Sequence, residues 1–254
     1  MTNYRTQKVG KKNIRYLHQG SGEPLVFLHG FGFRPSYYLP LLNLLAEHFE
    51  TISPAMYGIN YLSGQPVTID EYADLTLSFC SSLKVDYHCV AGHSLGGAVA
   101  FKIGDKVSGH FHLIGINPLL PVDYGIIGFA LRALYKNIRE ALGITGGMRA
   151  VLFGNTILLS SLFNLIKDRG SSIDLVSDIR SFTYHTMQVT QPTLILYGEQ
   201  DEFFTLNEKI TGQIKGAFKK ATIRRLGKMN HDWLIFYPEL AVREINDFVR
   251  NQKR

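Results

Sequence analysis

Apolar positions along this chain alternate between two rhythms. Pro24-Leu-Val-Phe-Leu-His29-Gly30 is a short unbroken apolar run closed by glycine, the pattern of a strand buried on both faces. Leu41, Leu42, Leu44, Leu45 and Phe49 then recur at helical spacing between Tyr38 and Phe49, and Thr51-Ile-Ser-Pro54 reads as a second strand end. Ile69, Tyr72, Leu75, Phe79 and Leu83 follow at steps of three and four residues, predicting an amphipathic helix. Tyr87 to Ala91 predicts a strand, Leu95 to Val107 a helix and His112 to Asn117 another strand. Alternation of this kind predicts a parallel sheet with helices on both faces.

The rhythm changes after Pro118. From Leu119 to about His185 the sequence is helical, glycine-interrupted and strongly apolar without a clear strand. This predicts a helical cap over residues 119–185, inserted in a core domain made of residues 1–118 and 186–254. Thr193 to Tyr197 and Thr222 to Leu226 restore the strand pattern, and Pro238 to Arg250 closes with an amphipathic helix. Val151 to Ile166 carries no charge over sixteen residues, but a span needs ~20. It also contains Asn155, Ser160, Ser161 and Asn164, so it reads as buried cap helix and no transmembrane segment is expected.

Composition narrows the class. A 254-residue chain that is 45% hydrophobic and 19% charged can bury a large core, and neither disorder nor a coiled coil fits it. The polar start, Met1 to Lys8, lacks an apolar run with a cleavage site. Cys80 and Cys89 have no metal spacing and read as small apolar side chains in a reduced core. A cytoplasmic location is therefore expected. The net charge of +6 raises the question of an anionic partner. The basic residues are scattered, with Lys8, Lys11, Lys12 and Arg15 near one end and Lys219, Lys220, Arg224, Arg225 and Lys228 near the other. They form no nucleic-acid-reading motif, so no nucleic-acid partner is expected.

Gly92-His93-Ser94-Leu95-Gly96 matches Gly-x-Ser-x-Gly between an apolar strand and a helix. That is the setting of a nucleophile elbow, a sharp turn that lifts the serine above the sheet edge. Such a turn leaves no room for Cβ atoms two residues before and after the serine, and the helix beginning at Leu95 points its first N–H groups at an anion forming there. A serine hydroxyl needs a base at neutral pH. His88 and His112 fall within strands. His18, His48, His110 and His185 have no motif around them, and His29 and His93 read as structural. His231 stands in a loop after the last strand, from which it can reach across the carboxyl edge of the sheet. The orienting acid should come between serine and histidine in the chain. Asp201 in Gly198-Glu-Gln-Asp201 follows an intervening strand. Glu202 and Glu199 are local alternatives, Asp123 a more distant one, and Asp232, beside His231, should point elsewhere. An oxyanion hole would combine the Leu95 N–H with one from His29-Gly30-Phe31-Gly32, namely Phe31.

Through these ordered motifs, with Gly97 and Asn230 flanking them, the chain resembles the α/β-hydrolase superfamily over nearly its whole length. The resemblance implies a Ser94/Asp201/His231 triad, backbone donors at Phe31 and Leu95, no cofactor and no metal, and a lid inserted after the sixth strand. Serine at the elbow separates it from haloalkane dehalogenases and epoxide hydrolases, which use aspartate there. One departure is Ser53-Pro-Ala-Met-Tyr57-Gly58-Ile-Asn60, where many members carry Asp-x-x-Gly-x-Gly.

The expected activity is hydrolysis of a carboxylic ester through a Ser94 acyl-enzyme. The expected substrate is a small lipophilic ester, because Ile126, Ile127, Phe129, Leu131 and Leu134, with Val151 to Ile166, supply more apolar residues than the cap's own packing needs. The alternatives are cleavage of C–C, amide or thioester bonds, perhydrolysis on the same triad, or a ligand-binding, receptor-like role. Sequence leaves the oligomeric state open.

Overall fold

A computed structural model of the protein describes residues 4–56, 68–141 and 177–252. Eight strands form one sheet in the order β1-β2-β4-β3-β5-β6-β7-β8. They are β1 (Arg5–Val9), β2 (Lys12–Gln19), β3 (Pro24–Leu28), β4 (Glu50–Pro54), β5 (Cys89–His93), β6 (His112–Ile116), β7 (Thr193–Gly198) and β8 (Ala221–Leu226). From β4 through β8 every pairing is parallel, whereas β1 pairs β2 and β2 pairs β4 antiparallel. The fold is that of an α/β hydrolase, as the resemblance implies, and the mostly parallel sheet is the one that the apolar pattern predicts. The β1–β2 hairpin is an addition to that pattern, marked in the sequence by the alternation of Ile14 and Tyr16 with polar neighbours and by Gly10 at φ +57° in the turn.

The inner strands read as unbroken apolar runs because both faces are covered. Val26 and Leu28 of β3, with Val90, Leu113 and Ile195, face a core built on α2 (Ile69–Leu83) and α3 (Leu95–Lys106). Leu25 and Phe27, with Ala91, Ile114, Leu194 and Leu196, face the opposite core. That side holds α1 (Leu39–Leu45), which follows a 3₁₀ turn at Pro35–Tyr38, and the last helix, Pro238–Asn251. The split of neighbouring residues between the two cores is the period of two that a strand imposes. Thr68 and Glu71 start α2 with a reciprocal capping box, which satisfies two of the N–H groups that a helix start leaves open.

Helix α4 (Ile126–Ala141) follows β6, helix α5 (Glu208–Ala217) joins β7 to β8, and the single turn α6 (Trp233–Phe236) precedes α7 (Pro238–Asn251). The sequence pattern above leaves α5 unassigned, although Asn207 caps it at Ile210 N and Ile210 and Ile214 are buried on one face. Residues 142–176, including Val151 to Ile166, lie outside the described residues, as does the side chain of Ile126. On α4, Ile127, Leu131 and Leu134 turn outward, with 75%, 61% and 52% of their surface exposed. Phe129 turns inward instead, beside Tyr124, Phe203 and Phe204. Among the described residues, no helix is long and apolar enough to cross a membrane.

Candidate active site

Strands β3, β5, β7 and β8 all end on the same edge of the sheet. There β3 lies directly beside β5, with Leu28 opposite Gly92. The chain leaves β3 toward the α1 face and leaves β5 toward the α3 face. This is the topological switch point at which open α/β sheets form their sites.

Ser94 occupies the turn between β5 and α3 with φ 54° and ψ −118°, a conformation L-residues rarely adopt. The flanking glycines permit it. A Cβ on Gly92 would come 2.1 Å from the Gly96 carbonyl oxygen, and one on Gly96 would come 2.2 Å from the Leu28 carbonyl oxygen. The turn is held by Ser94 N donating to Ile116 O at 3.1 Å. Gly30 packs against it, since a Cβ there would lie 3.3 Å from Ser94 Cβ, which brings the loop after β3 alongside the serine. Among the described residues, no hydrogen bond engages the Phe31 or Leu95 N–H.

The loop after β7 and the loop after β8 meet at a buried contact. His231 Nδ1 donates to Asp201 Oδ2 at 2.8 Å, and both side chains are almost entirely enclosed. The other carboxylate oxygen of Asp201 accepts the N–H groups of Phe203 and Phe204 at 2.8 and 3.0 Å. Glu202 instead takes the backbone N–H of His231 at 3.2 Å, Glu199 and Asp123 are exposed, and Asp232 turns to Lys136. Of these carboxylates only Asp201 holds the imidazole ring. Burial alone would lower the pKa of His231, but the Asp201 charge and hydrogen bond raise it above its ordinary value, with Asp232 and Glu202 contributing. Among the described residues, neither Ser94 Oγ nor His231 Nε2 has a hydrogen-bond partner, so the two are not closed into contact in this structure. Unliganded sites often tighten such contacts only around a substrate.

Two further residues tie the loops together. His93 Nε2 lies 3.0 Å from His231 O and its Nδ1 lies 2.7 Å from the Tyr38 hydroxyl. A carbonyl only accepts, so Nε2 carries the proton. Burial pushes His93 down to about 3, so the ring is neutral and Nδ1 accepts from Tyr38, whose oxygen in turn accepts the Gly30 N–H at 3.2 Å. The loop after β3 and the loop after β8 are thus joined through the turn between β5 and α3. Asn117, at the end of β6 with φ 39°, donates to Asn230 O and His231 O at 2.9 and 3.0 Å and accepts the Gly198 N–H at 2.7 Å. His29, lowered to about 4 by burial, bonds Gly30 O and Met56 N. His29 and His93 are structural, as the sequence indicates. The role of Asn117 leaves no sequence signal beyond an asparagine at a strand end.

Helix α4 brings cations to this otherwise acidic corner. Lys136 Nζ sits 2.8 Å from Asp232 Oδ2, with 5% and 3% of the two side chains exposed. Arg139 approaches Glu202 at 3.7 Å and donates to Gln200, and Arg132 donates to Glu202 O at 2.9 Å. His93, His231 and Asp232 each offer a metal-ligand atom within 4.8 Å of the others. Both His93 nitrogens are already bonded and the Lys136 ammonium lies against Asp232, so the donor set does not suit a cation.

Residues 25–244 match the sequence model of the Alpha/beta hydrolase family. A chain of Mycobacterium phage D29 that bears the provisional name of a non-heme haloperoxidase is 25% identical over 245 residues, covering 87% of this chain and 86% of its own. Among solved structures, a serine hydrolase involved in carbazole degradation superposes with a TM-score of 0.76 at 17% identity, covering 98% of both chains. A thermophilic esterase from Thermogutta terrifontis gives 0.71 at 16% identity, again over 98% of both.

Proposed function

The chain belongs to the alpha/beta hydrolase family, and from that membership we propose that it is a serine hydrolase that cleaves a carboxylic ester through an acyl-enzyme on Ser94. The observation that carries this reading is the strained Ser94 backbone at φ 54°, on the same sheet edge as a buried Asp201–His231 hydrogen bond. A serine held in a costly conformation on the sheet edge that also carries an oriented imidazole fits nucleophilic catalysis better than any structural purpose.

In the proposed cycle His231 Nε2 takes the Ser94 proton as Oγ attacks the ester carbonyl. Asp201 keeps the Nδ1 proton in place and stabilises the imidazolium. The Phe31 and Leu95 N–H groups hold the oxyanion, His231 returns its proton to the departing alkoxide, and a water activated by the same imidazole releases the acid. Residues 119–185 act as the cap. Phe203 and Phe204 lie next to His231, with Phe129 stacked on Phe203 behind them, and they favour an apolar acyl or alcohol group.

Labelling with a fluorophosphonate tests the nucleophile. Label should appear on Ser94, vanish in Ser94→Ala and be accompanied by a fall in turnover of about 10³-fold or more; stoichiometric label on another serine removes the assignment. A p-nitrophenyl ester series from acetate to laurate tests the substrate class. A kcat/KM maximum between butyrate and decanoate supports a lipophilic site, since each buried methylene contributes about 0.8 kcal/mol, and a steady fall from acetate rejects it. The haloperoxidase name of the phage relative favours a second reading, in which hydrogen peroxide replaces water and the acyl-enzyme yields a peracid. Peracid formed from acetate and peroxide, lost in Ser94→Ala, would support it.

A further inference from the structure

Three carboxylates surround His231. Asp201 holds its ring nitrogen at 2.8 Å, Glu202 accepts its backbone N–H at 3.2 Å, and Asp232 places an oxygen within 4.8 Å of the ring. Among the described residues, the neutral neighbours on the other sides carry no compensating charge. His93 of the elbow is neutral, and Tyr38 and His29 on the oxyanion side are held uncharged by burial. The cations come from α4: Lys136 on Asp232, and Arg139 and Arg132 on the acid loop. Lys136 is itself buried. A lysine costs several kcal/mol to desolvate unless it is well paired, so its partner is a strong determinant of where α4 sits.

We propose that Lys136 is a positioning residue for the catalytic base: by pairing with Asp232 it limits how strongly that carboxylate favours the imidazolium of His231, and it thereby ties the base's competence to the seating of α4. The proposal rests on His231 being the base. With Lys136 in place, Asp232 is held ionised despite its burial, and the ammonium 2.8 Å away opposes the pull of that carboxylate on His231. With Lys136 withdrawn, an uncompensated carboxylate favours imidazolium, which cannot accept the serine proton. Seating α4 over a substrate would then complete the base, and lifting it would disable the base without moving any triad residue.

The test is kcat/KM against pH with p-nitrophenyl butyrate for the wild type, Lys136→Met, Asp232→Asn and the double variant, with the His231 imidazole followed by NMR in each. Lys136→Met should move the acid limb and the NMR midpoint upward by about one pH unit, and Asp232→Asn should move both downward. The double variant removes both charges, an exchange that is often neutral for stability, and should return the midpoint close to wild type. A merely structural role for Lys136 predicts lost amplitude without that return. If Lys136→Met fails to fold, the downward shift in Asp232→Asn and its reversal in the double variant remain decisive. A midpoint unmoved in Asp232→Asn and Lys136→Met, or still displaced in the double variant, overturns the proposal. Absence of fluorophosphonate label on wild-type Ser94 would instead overturn the serine reading, while the NMR midpoints still report on Lys136.

Discussion

Ser94 is tolerated in its turn because Gly96 lets the chain pass the end of β3 at backbone contact. Replacing Gly96 by Ala puts a methyl 2.2 Å from the Leu28 carbonyl oxygen and 2.7 Å from that of His29. Neither is a flexible group that can swing away. Gly96→Ala should therefore lower the unfolding free energy by at least about 3 kcal/mol, at the upper end of single-residue effects, and urea unfolding measures it. Asp201 acts differently, since its two oxygens divide the work between His231 and the N–H groups of Phe203 and Phe204. Asp201→Asn can keep the acceptor toward the loop but presents the wrong partner or no charge to the ring. Turnover should fall by about 10⁴-fold while the circular dichroism spectrum stays native. Glu202→Gln should cost far less, because Glu202 meets only the backbone of His231; equal losses from the two would move the acid assignment.

Among the elements, β6 contributes most through the residue that follows it. Asn117 joins the end of β7 to the base loop, with Trp233 Nε1 as an additional donor at 3.4 Å. Its side chain satisfies groups on three segments that would otherwise drift independently. Asn117→Ala strands the buried Gly198 N–H and withdraws a donor from two carbonyls, a loss of about 2–4 kcal/mol at ~1–3 kcal/mol per unsatisfied buried group. It should also reduce kcat at least about tenfold, since small displacements of a base are costly to rate. Chemical denaturation together with steady-state kinetics separates the two effects, and unchanged kcat would mean that the base loop holds its position without this link.

Across the whole molecule the raised His231 couples stability to activity through pH. Asp201 lifts the folded-state pKa above the unfolded value, so folding favours the imidazolium. That stabilisation is fully present below the ordinary imidazole value near ~6.5 and disappears as pH rises through the folded pKa. In the proposed mechanism only neutral imidazole accepts the Ser94 proton, so kcat/KM should climb over the window in which this contribution to stability is lost. A pH series of kcat/KM and of Tm should show the opposed trends in the wild type, and the His231 contribution to the Tm trend should be missing from Asp201→Asn. An activity limb centred below the ordinary imidazole value would contradict the charge balance described above.

The sequence alone determined the sheet's buried strands and most of the helices beside them, and it proposed a chain order of serine, acid and base. Those features are written locally, as unbroken apolar runs, three-and-four spacing and glycines where a turn excludes Cβ atoms. Gly92, Ser94 and Gly96 could be read together because a nucleophile elbow is a contiguous turn. Asp201 could be preferred over Glu202 only by its place in the loop; which carboxylate reaches the ring depends on how two loops 30 residues apart meet. Asn117 and Lys136 were silent for the same reason, since a buried hydrogen-bond hub and a buried ion pair are defined by partners 113 and 96 residues away. The outward turn of Ile127, Leu131 and Leu134 was decided the same way. Their helical spacing fixes that they share one face of α4, but it was the pairing of Lys136 with Asp232 and of Arg139 with Glu202 that settled which face the helix turns to the site.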